Sequence, residues 1–354
     1  VGHLDPEFIA LMEHTKGLLR SVFQTQNTLT LPISGTGSAG MEACVVNFVE
    51  PGDRVVVAVC GLFGQRLAEV ARRCGATVTT VEAPWGEPVP PEALANAVMT
   101  VRPKLLAVVH AETSTGVLQP VAPLAAATRE SGALLLVDTV TSLGGVEVDV
   151  DRWAIDICYS GTQKCLSCPP GLAPVTVSDR ALEALHQRRT PVHSWYLDLG
   201  MIEQYWGQDR VYHHTAPVSM AYALYEALRL VDEEGLSQRW ARHQTNHERL
   251  VRGLEALGLS LPVAAPWRLP SLNAVSIPAG VDDLALRRTL LRDWNLEIGG
   301  GLGPLKGRIW RVGLMGHGAT RDNVVLLLTA LGKSLKAQGI DVHPGAAVEA
   351  ALAV

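Results

Sequence analysis

The sequence predicts an α/β protein with a large domain over residues 1–257 and a smaller C-terminal α+β domain over 258–354. The large domain is expected to hold a mostly parallel sheet flanked by helices. Three observations carry this reading. From about residue 55 to 177, short apolar runs alternate with longer amphipathic stretches, the pattern of buried parallel strands joined by helices. From 216 to 257 the periodicity is helical, interrupted at Glu234-Gly235 and closed by Gly258, since glycine readily takes the left-handed conformation that ends helices. Beyond that point short strand-like and longer helical patterns mix, as in a small α+β unit.

In chain order, Asp5-Pro6 opens the first helix with a side-chain cap and a residue preset for the first turn. An apolar strand-like segment leads to Ser34, and a helix is expected over 41–49. Strands are predicted at 54–60, 77–81, 105–110, 134–138, 155–159 and 172–177. Pro90-Pro91-Glu92 and Ser178-Asp179 start further helices. The small domain is assigned strands near 274–277 and 309–313 and helices near 282–293 and 321–338.

With 354 residues, 47% of them hydrophobic and 18% charged, the chain can bury a large core and is not a disordered tail. A formal net charge of -5, with no long Lys/Arg run, argues against a nucleic-acid partner. Apolar runs fall far short of the roughly 20 residues that span a bilayer, so no membrane association is expected. Six cysteines scattered through apolar segments fit a reducing compartment, and the cytoplasm is expected. No basic-then-apolar leader opens the chain and Ala351-Leu352-Ala353-Val354 is not a peroxisomal tripeptide. An N-terminal segment is expected to precede Val1.

The most informative stretch is Tyr159-Ser160-Gly161-Thr162-Gln163-Lys164, in which a strand ends in small polar residues and a single lysine. A partly desolvated amine loses its proton more easily and becomes a nucleophile toward an aldehyde. Taken alone, Lys164 would read as an ordinary solvated lysine. Four apolar residues before Asp138 deliver an acid to the carboxyl end of a buried strand, where open α/β sheets bind ligands. Such a carboxylate is the partner that a pyridoxal-phosphate ring nitrogen requires; alone it reads equally as a turn cap.

Ser34-Gly35-Thr36-Gly37-Ser38-Ala39-Gly40 offers amides, hydroxyls and a helix N-terminus to a phosphate. It also matches G-x-G-x-x-G, but the next strand ends Val59-Cys60-Gly61 without the acid that a dinucleotide ribose needs. Phe63, after a strand, could stack on a ligand or pack in the core. Arg311, between Trp310 and Val312, suits a carboxylate clamp or, with even odds, a structural ion pair. Cys165 and Cys168 form a lone C-x-x-C without a second pair, so they are read as buried thiols. His213-His214 is read as adjacent strand residues facing opposite ways, unable to chelate. No metal is expected.

These motifs resemble, in order and over nearly the whole chain, the alanine:glyoxylate and serine:pyruvate or serine:glyoxylate aminotransferases of the class V, fold-type I group. The carrying strings are SGTGS from Ser34, GLFGQR from Gly61, ETSTG from Glu112, LLLVDTVTSLGG from Leu134, SGTQK ending at Lys164, YHHT from Tyr212, GGLGP from Gly300 and WRVGLMG from Trp310. The resemblance implies pyridoxal 5′-phosphate held as a Schiff base on Lys164, with Asp138 at its ring nitrogen. It implies phosphate contacts from Thr36, Gly37, Ser38 and Gln163, stacking by Phe63 and an O3′ contact from Thr113. It further implies a homodimer in which Tyr212 and Thr215 complete the partner's site, and Arg311 binding the substrate carboxylate. Some members carry tryptophan where Phe63 stands and histidine where Ser38 stands. The implied activity is ping-pong transfer of an amino group from alanine or serine to glyoxylate or another small 2-oxo acid. A desulfurase or lyase on the same fold and, less favoured, a nicotinamide oxidoreductase are the alternatives; a desulfurase would want a cysteine in the C-terminal part, and none follows Cys168.

Overall fold

The computed structural model describes residues 2–207 and 210–354. Val1 and the segment expected before it fall outside these residues. The strands are β1 (Leu29–Ser34), β2 (Arg54–Val59), β3 (Thr77–Glu82), β4 (Leu105–Val109), β5 (Ala111–Glu112), β6 (Val117–Leu118), β7 (Leu134–Asp138), β8 (Ile157–Tyr159), β9 (Leu172–Val177), β10 (Leu272–Ser276), β11 (Gly299–Gly300) and β12 (Ile309–Gly313). The helices are α1 (Pro6–Phe23), α2 (Gly37–Phe48), α3 (Leu62–Arg73), α4 (Pro91–Val101), α5 (Ala125–Ser131), α6 (Asp179–His186), α7 (Leu199–Trp206), α8 (Val218–Glu234), α9 (Leu236–Ala256), α10 (Asp283–Trp294), α11 (Arg321–Ala337) and α12 (Pro344–Leu352).

A seven-stranded sheet runs β1-β9-β8-β7-β4-β2-β3. From β8 to β3 every pairing is parallel, whereas β9 is antiparallel to both β8 and β1. Two reversals restore the direction, so the carboxyl ends of β1, β2, β4, β7 and β8 all emerge along one edge. That edge is where an open α/β sheet receives ligands. The mostly parallel sheet flanked by helices is the expected fold class.

Side-chain alternation splits the sheet into two apolar faces. Val55, Val57, Leu105, Ala107, Leu134 and Leu136 pack with residues of α1, α2 and α3. Val56, Ala58, Leu106, Val108, Leu135 and Val137 pack with α4, α5 and α8 on the other side. By this period of two, Asp138 falls on the α2 face with Leu134 and Leu136. A three-stranded antiparallel sheet, β10-β12-β11, follows; Trp310 of β12 packs there with apolar residues of α9, α10, α11 and α12.

The helical stretch read over 216–257 is two helices broken at Gly235, whose φ is +78°. The helix expected over 41–49 begins earlier, at Gly37, because Gly37 and Gly40 let its first turn lie against the sheet: a β-carbon at Gly40 would stand 2.9 Å from that of Ala173. The predicted strand 155–159 is ordered as a strand only from Ile157. Asp156 bonds sideways instead, accepting from Leu135 N at 2.8 Å and pairing with Arg180. No helix among the described residues is long and apolar enough to cross a membrane.

Candidate active site

A cavity of about 210 Å³ opens at the carboxyl edge of the large sheet. Its wall includes Thr36, Gly37 and Ser38 from the start of α2, Phe63 and Arg66 from α3, Thr113 after β5, Asp138 at the end of β7, Tyr159 at the end of β8, and Gln163 and Lys164 just beyond. Eight residues singled out in the sequence therefore meet around one space. Arg311 joins them from β12, its Nη1 donating to the Thr113 carbonyl at 3.3 Å. Tyr212 and Thr215 are not part of this wall. They lie on the surface, Tyr212 60% exposed, on either side of His213 and His214, and the His213 ring stacks on the exposed Trp195.

Thr36 caps α2 from extended backbone, but its side chain makes no capping hydrogen bond. The first residues of this helix line the cavity, so the positive end of the helix dipole lies at its wall. Lys164 sits in a turn fastened by α9: Arg239, itself buried, donates to the carbonyls of Cys165 at 2.6 Å and Gly144 at 2.9 Å. Burial of the Lys164 amine, with the neighbouring Arg311 charge, pushes its pKa below the ordinary lysine value. The free base is thereby favoured. Asp138 is fully enclosed, its Oδ1 accepting from Val140 N at 2.8 Å and its Oδ2 from the Tyr159 hydroxyl at 2.5 Å. Burial raises its pKa to about 7 against the opposing pull of those donors. Both side-chain hydrogen bonds of Arg311 go to backbone carbonyls, of Thr113 and, from Nε at 2.8 Å, of Gly300. Among the described residues no carboxylate pairs with it, so the structural ion pair considered from sequence is absent.

Glu112 was not singled out beyond its motif, yet it is fully buried and organises the α3 side of the site. Its Oε2 accepts from the amides of Phe63 at 3.1 Å and Gly64 at 3.3 Å, while Oε1 accepts from the Ser114 amide at 3.1 Å and hydroxyl at 2.6 Å. A carboxylate thus caps the helix that carries Phe63. The approach is so close that a β-carbon at Gly61 would stand 2.4 Å from Glu112 Cγ. Glu112→Gln keeps the volume but turns one acceptor oxygen into a donor facing amide donors. A loss of about 1–3 kcal/mol in stability is expected, with weaker cofactor binding because Phe63 loses its fixed position. Urea unfolding and cofactor titration check both.

The strand geometry expected at His213-His214 is not found. Both lie in irregular backbone, and their rings meet, Nδ1 to Nδ1, at 2.7 Å. His213 Nε2 lies 3.1 Å from the Trp195 carbonyl and must donate to it. His214, bonded to His213 through Nδ1, also shares a hydrogen bond between its Nε2 and Ser34 Oγ at 2.7 Å. The two imidazoles tie the 213–214 segment to the residue that opens the Gly35 loop. No cluster among the described residues has three His, Cys, Asp or Glu positioned for a metal ion. The C-x-x-C thiols are buried, and burial raises the pKa of Cys165 and Cys168 to about 11.

Residues 1–301 match the sequence model of aminotransferase class V. The chain belongs to the class V aminotransferases. A solved alanine–glyoxylate aminotransferase from Nostoc sp. is 54% identical and superposes with a TM-score of 0.93, over 95% of this chain and 89% of that one. A solved ureidoglycine–glyoxylate aminotransferase from Bacillus subtilis is 41% identical with a TM-score of 0.98, over 100% of this chain and 91% of that one. The alanine–glyoxylate aminotransferase of Callithrix jacchus is 41% identical over 340 residues, 95% of this chain and 82% of its own length. This class V aminotransferase works with pyridoxal 5′-phosphate. Its cavity suits such a group: an uncapped helix N-terminus, a buried carboxylate with no cation partner among the described residues, and an amine biased toward its free base surround one space.

Proposed function

We propose that this aminotransferase moves an amino group from alanine or serine to glyoxylate or another small 2-oxo acid, in two half-reactions at one site. The observation that carries the reading is the convergence of Lys164, Asp138 and the Thr36–Ser38 turn on one cavity, with Arg311 at Thr113 paired with no carboxylate among the described residues. Relatives named for alanine and glyoxylate support the same pair.

In this reading Thr36, Gly37, Ser38 and Gln163 hold the cofactor phosphate, Phe63 stacks on its ring, Thr113 contacts its O3′ side and Asp138 faces its ring nitrogen. When bound, the cofactor supplies a sink for the electron pair left on the donor's α-carbon and carries the amino group between half-reactions. Lys164 would hold the cofactor through its amine, and with the amine free Nζ would take the proton from the donor's α-carbon, a task suited to an amine whose proton affinity burial has lowered. Arg311 holds the substrate carboxylate through its guanidinium fork, which fixes the α-carbon relative to Nζ. The exposed aromatic surface of Trp195, Tyr196 and Tyr212 fits a homodimer, in which Tyr212 of the partner subunit and Thr215 of the partner subunit complete each site. Six buried, free cysteines suit work in the cytoplasm.

The Bacillus subtilis relative, aligned along the whole chain, favours a second donor, (S)-ureidoglycine. Initial rates with alanine, serine and (S)-ureidoglycine against glyoxylate and pyruvate decide between them. The highest kcat/KM identifies the donor. Parallel double-reciprocal lines are expected; intersecting lines would overturn the two-half-reaction scheme, and sedimentation as a monomer would overturn the shared site.

A further inference from the structure

We propose that Tyr159 is a positioning residue that determines where the shared proton sits between Asp138 and the cofactor's ring nitrogen. The proposal rests on the assignment of Asp138 to that nitrogen.

Tyr159 and Asp138 are register partners on the parallel strands β8 and β7, so their side chains rise from the same face of the sheet. Both line the cavity. The Tyr159 hydroxyl donates to Asp138 Oδ2 at 2.5 Å, the only side-chain donor Asp138 has among the described residues, and the Val140 amide takes Oδ1. A carboxylate has about four lone-pair sites, so one oxygen can still meet a ring nitrogen. Glu112 is a like charge, Cys44 of α2 and Cys158 of β8 are buried thiols whose protonated form burial favours, and Lys164 and Arg66 are the basic side chains that share the cavity. Burial and the Glu112 charge oppose ionisation of Asp138, and the hydrogen bonds from Tyr159 and Val140 favour it.

Between the two groups one proton has two positions. With the proton on nitrogen, the pair is a pyridinium facing a carboxylate. If the N–H bond breaks and an O–H bond forms on Asp138, the pair becomes a neutral pyridine facing a carboxylic acid, and the ring no longer withdraws electrons as strongly. A donor to Oδ2 stabilises the carboxylate more than the carboxylic acid, and so favours the proton on nitrogen. The buried Asp138 carboxyl stands near neutrality even with Tyr159 in place, which leaves this balance sensitive to a single bond. Tyr159 itself stays protonated, since burial and the Asp138 charge raise its pKa well above the ordinary phenol value.

The test uses holoenzyme reconstituted with pyridoxal phosphate carrying ¹⁵N in the ring, with the ¹⁵N shift followed from about pH 6 to 9. In Tyr159→Phe the pH at which the nitrogen loses its proton is expected to fall by about one unit or more, with cofactor affinity changing far less. Incorporating 3,5-difluorotyrosine at position 159, a stronger donor of nearly the same shape, is expected to move it the other way. Packing changes alone would not produce opposite shifts from these two variants. Unchanged ¹⁵N titrations in both would overturn the proposal. Asp138→Asn separates the two layers: if it leaves the ¹⁵N titration unaltered, the Asp138 assignment fails and Tyr159 falls with it. If Asp138→Asn moves the titration and neither Tyr159 variant does, only the role of Tyr159 is refuted.

Discussion

Lys164→Ala is expected to lower transamination by at least about a thousandfold while the protein still binds its cofactor. Positioned acid–base catalysis alone supplies about 10²–10⁴-fold, and no other lysine lines the cavity. Cofactor binding survives because the start of α2, Gln163, Phe63 and Asp138 remain. The loss should be chemical rather than structural, since Arg239 holds the turn through the carbonyls of Cys165 and Gly144 and not through the lysine side chain. Steady-state rates together with the absorbance of the bound cofactor check this. A variant within tenfold of the parent rate would remove Lys164 from the reaction.

The second large effect is expected at Arg311. Arg311→Lys should lower kcat/KM by about 10²-fold for donor and acceptor alike, most of it in KM, with cofactor absorbance unchanged. Lysine keeps the charge but loses the planar fork that grips both carboxylate oxygens. It also cannot reproduce the Nε bond to Gly300, which holds the guanidinium in place from behind. Equal treatment of both half-reactions is the telling part, because amino acid and 2-oxo acid share only the carboxylate and the carbon next to it. A defect confined to one half-reaction would argue that Arg311 reads something else.

How much of this was legible beforehand depended on the distance over which each contact is made. Asp138 and Lys164 each stand at or just past the end of an apolar strand, so alternation and strand ends were enough to place them at the ligand edge. Thr36, Gly37 and Ser38 were legible for the same local reason, although the helix begins among them rather than after them. Glu112 was not, because its partners are amides 48 and 49 residues earlier and nothing local marks an acid as a cap for a remote helix. Tyr159 meets Asp138 only through the β7–β8 register, which becomes readable once those strands are taken as neighbours. Arg66 lay one turn along α3 from Phe63, over whose ring its guanidinium carbon sits at 4.9 Å; helical spacing offered that signal. The His213-His214 misreading came from assigning strand alternation to irregular backbone.

All six cysteine side chains are buried in the folded chain. Burial raises the thiols of Cys60 and Cys158 to about 12 and those of Cys165 and Cys168 to about 11, leaving almost no thiolate at neutral pH. The native enzyme is thus a nearly silent background for maleimide dyes. A single cysteine introduced at the exposed Trp195, Tyr196 or Tyr212 would take one label per chain, and fluorescence from it could test the proposed homodimer without first stripping the protein of its own cysteines.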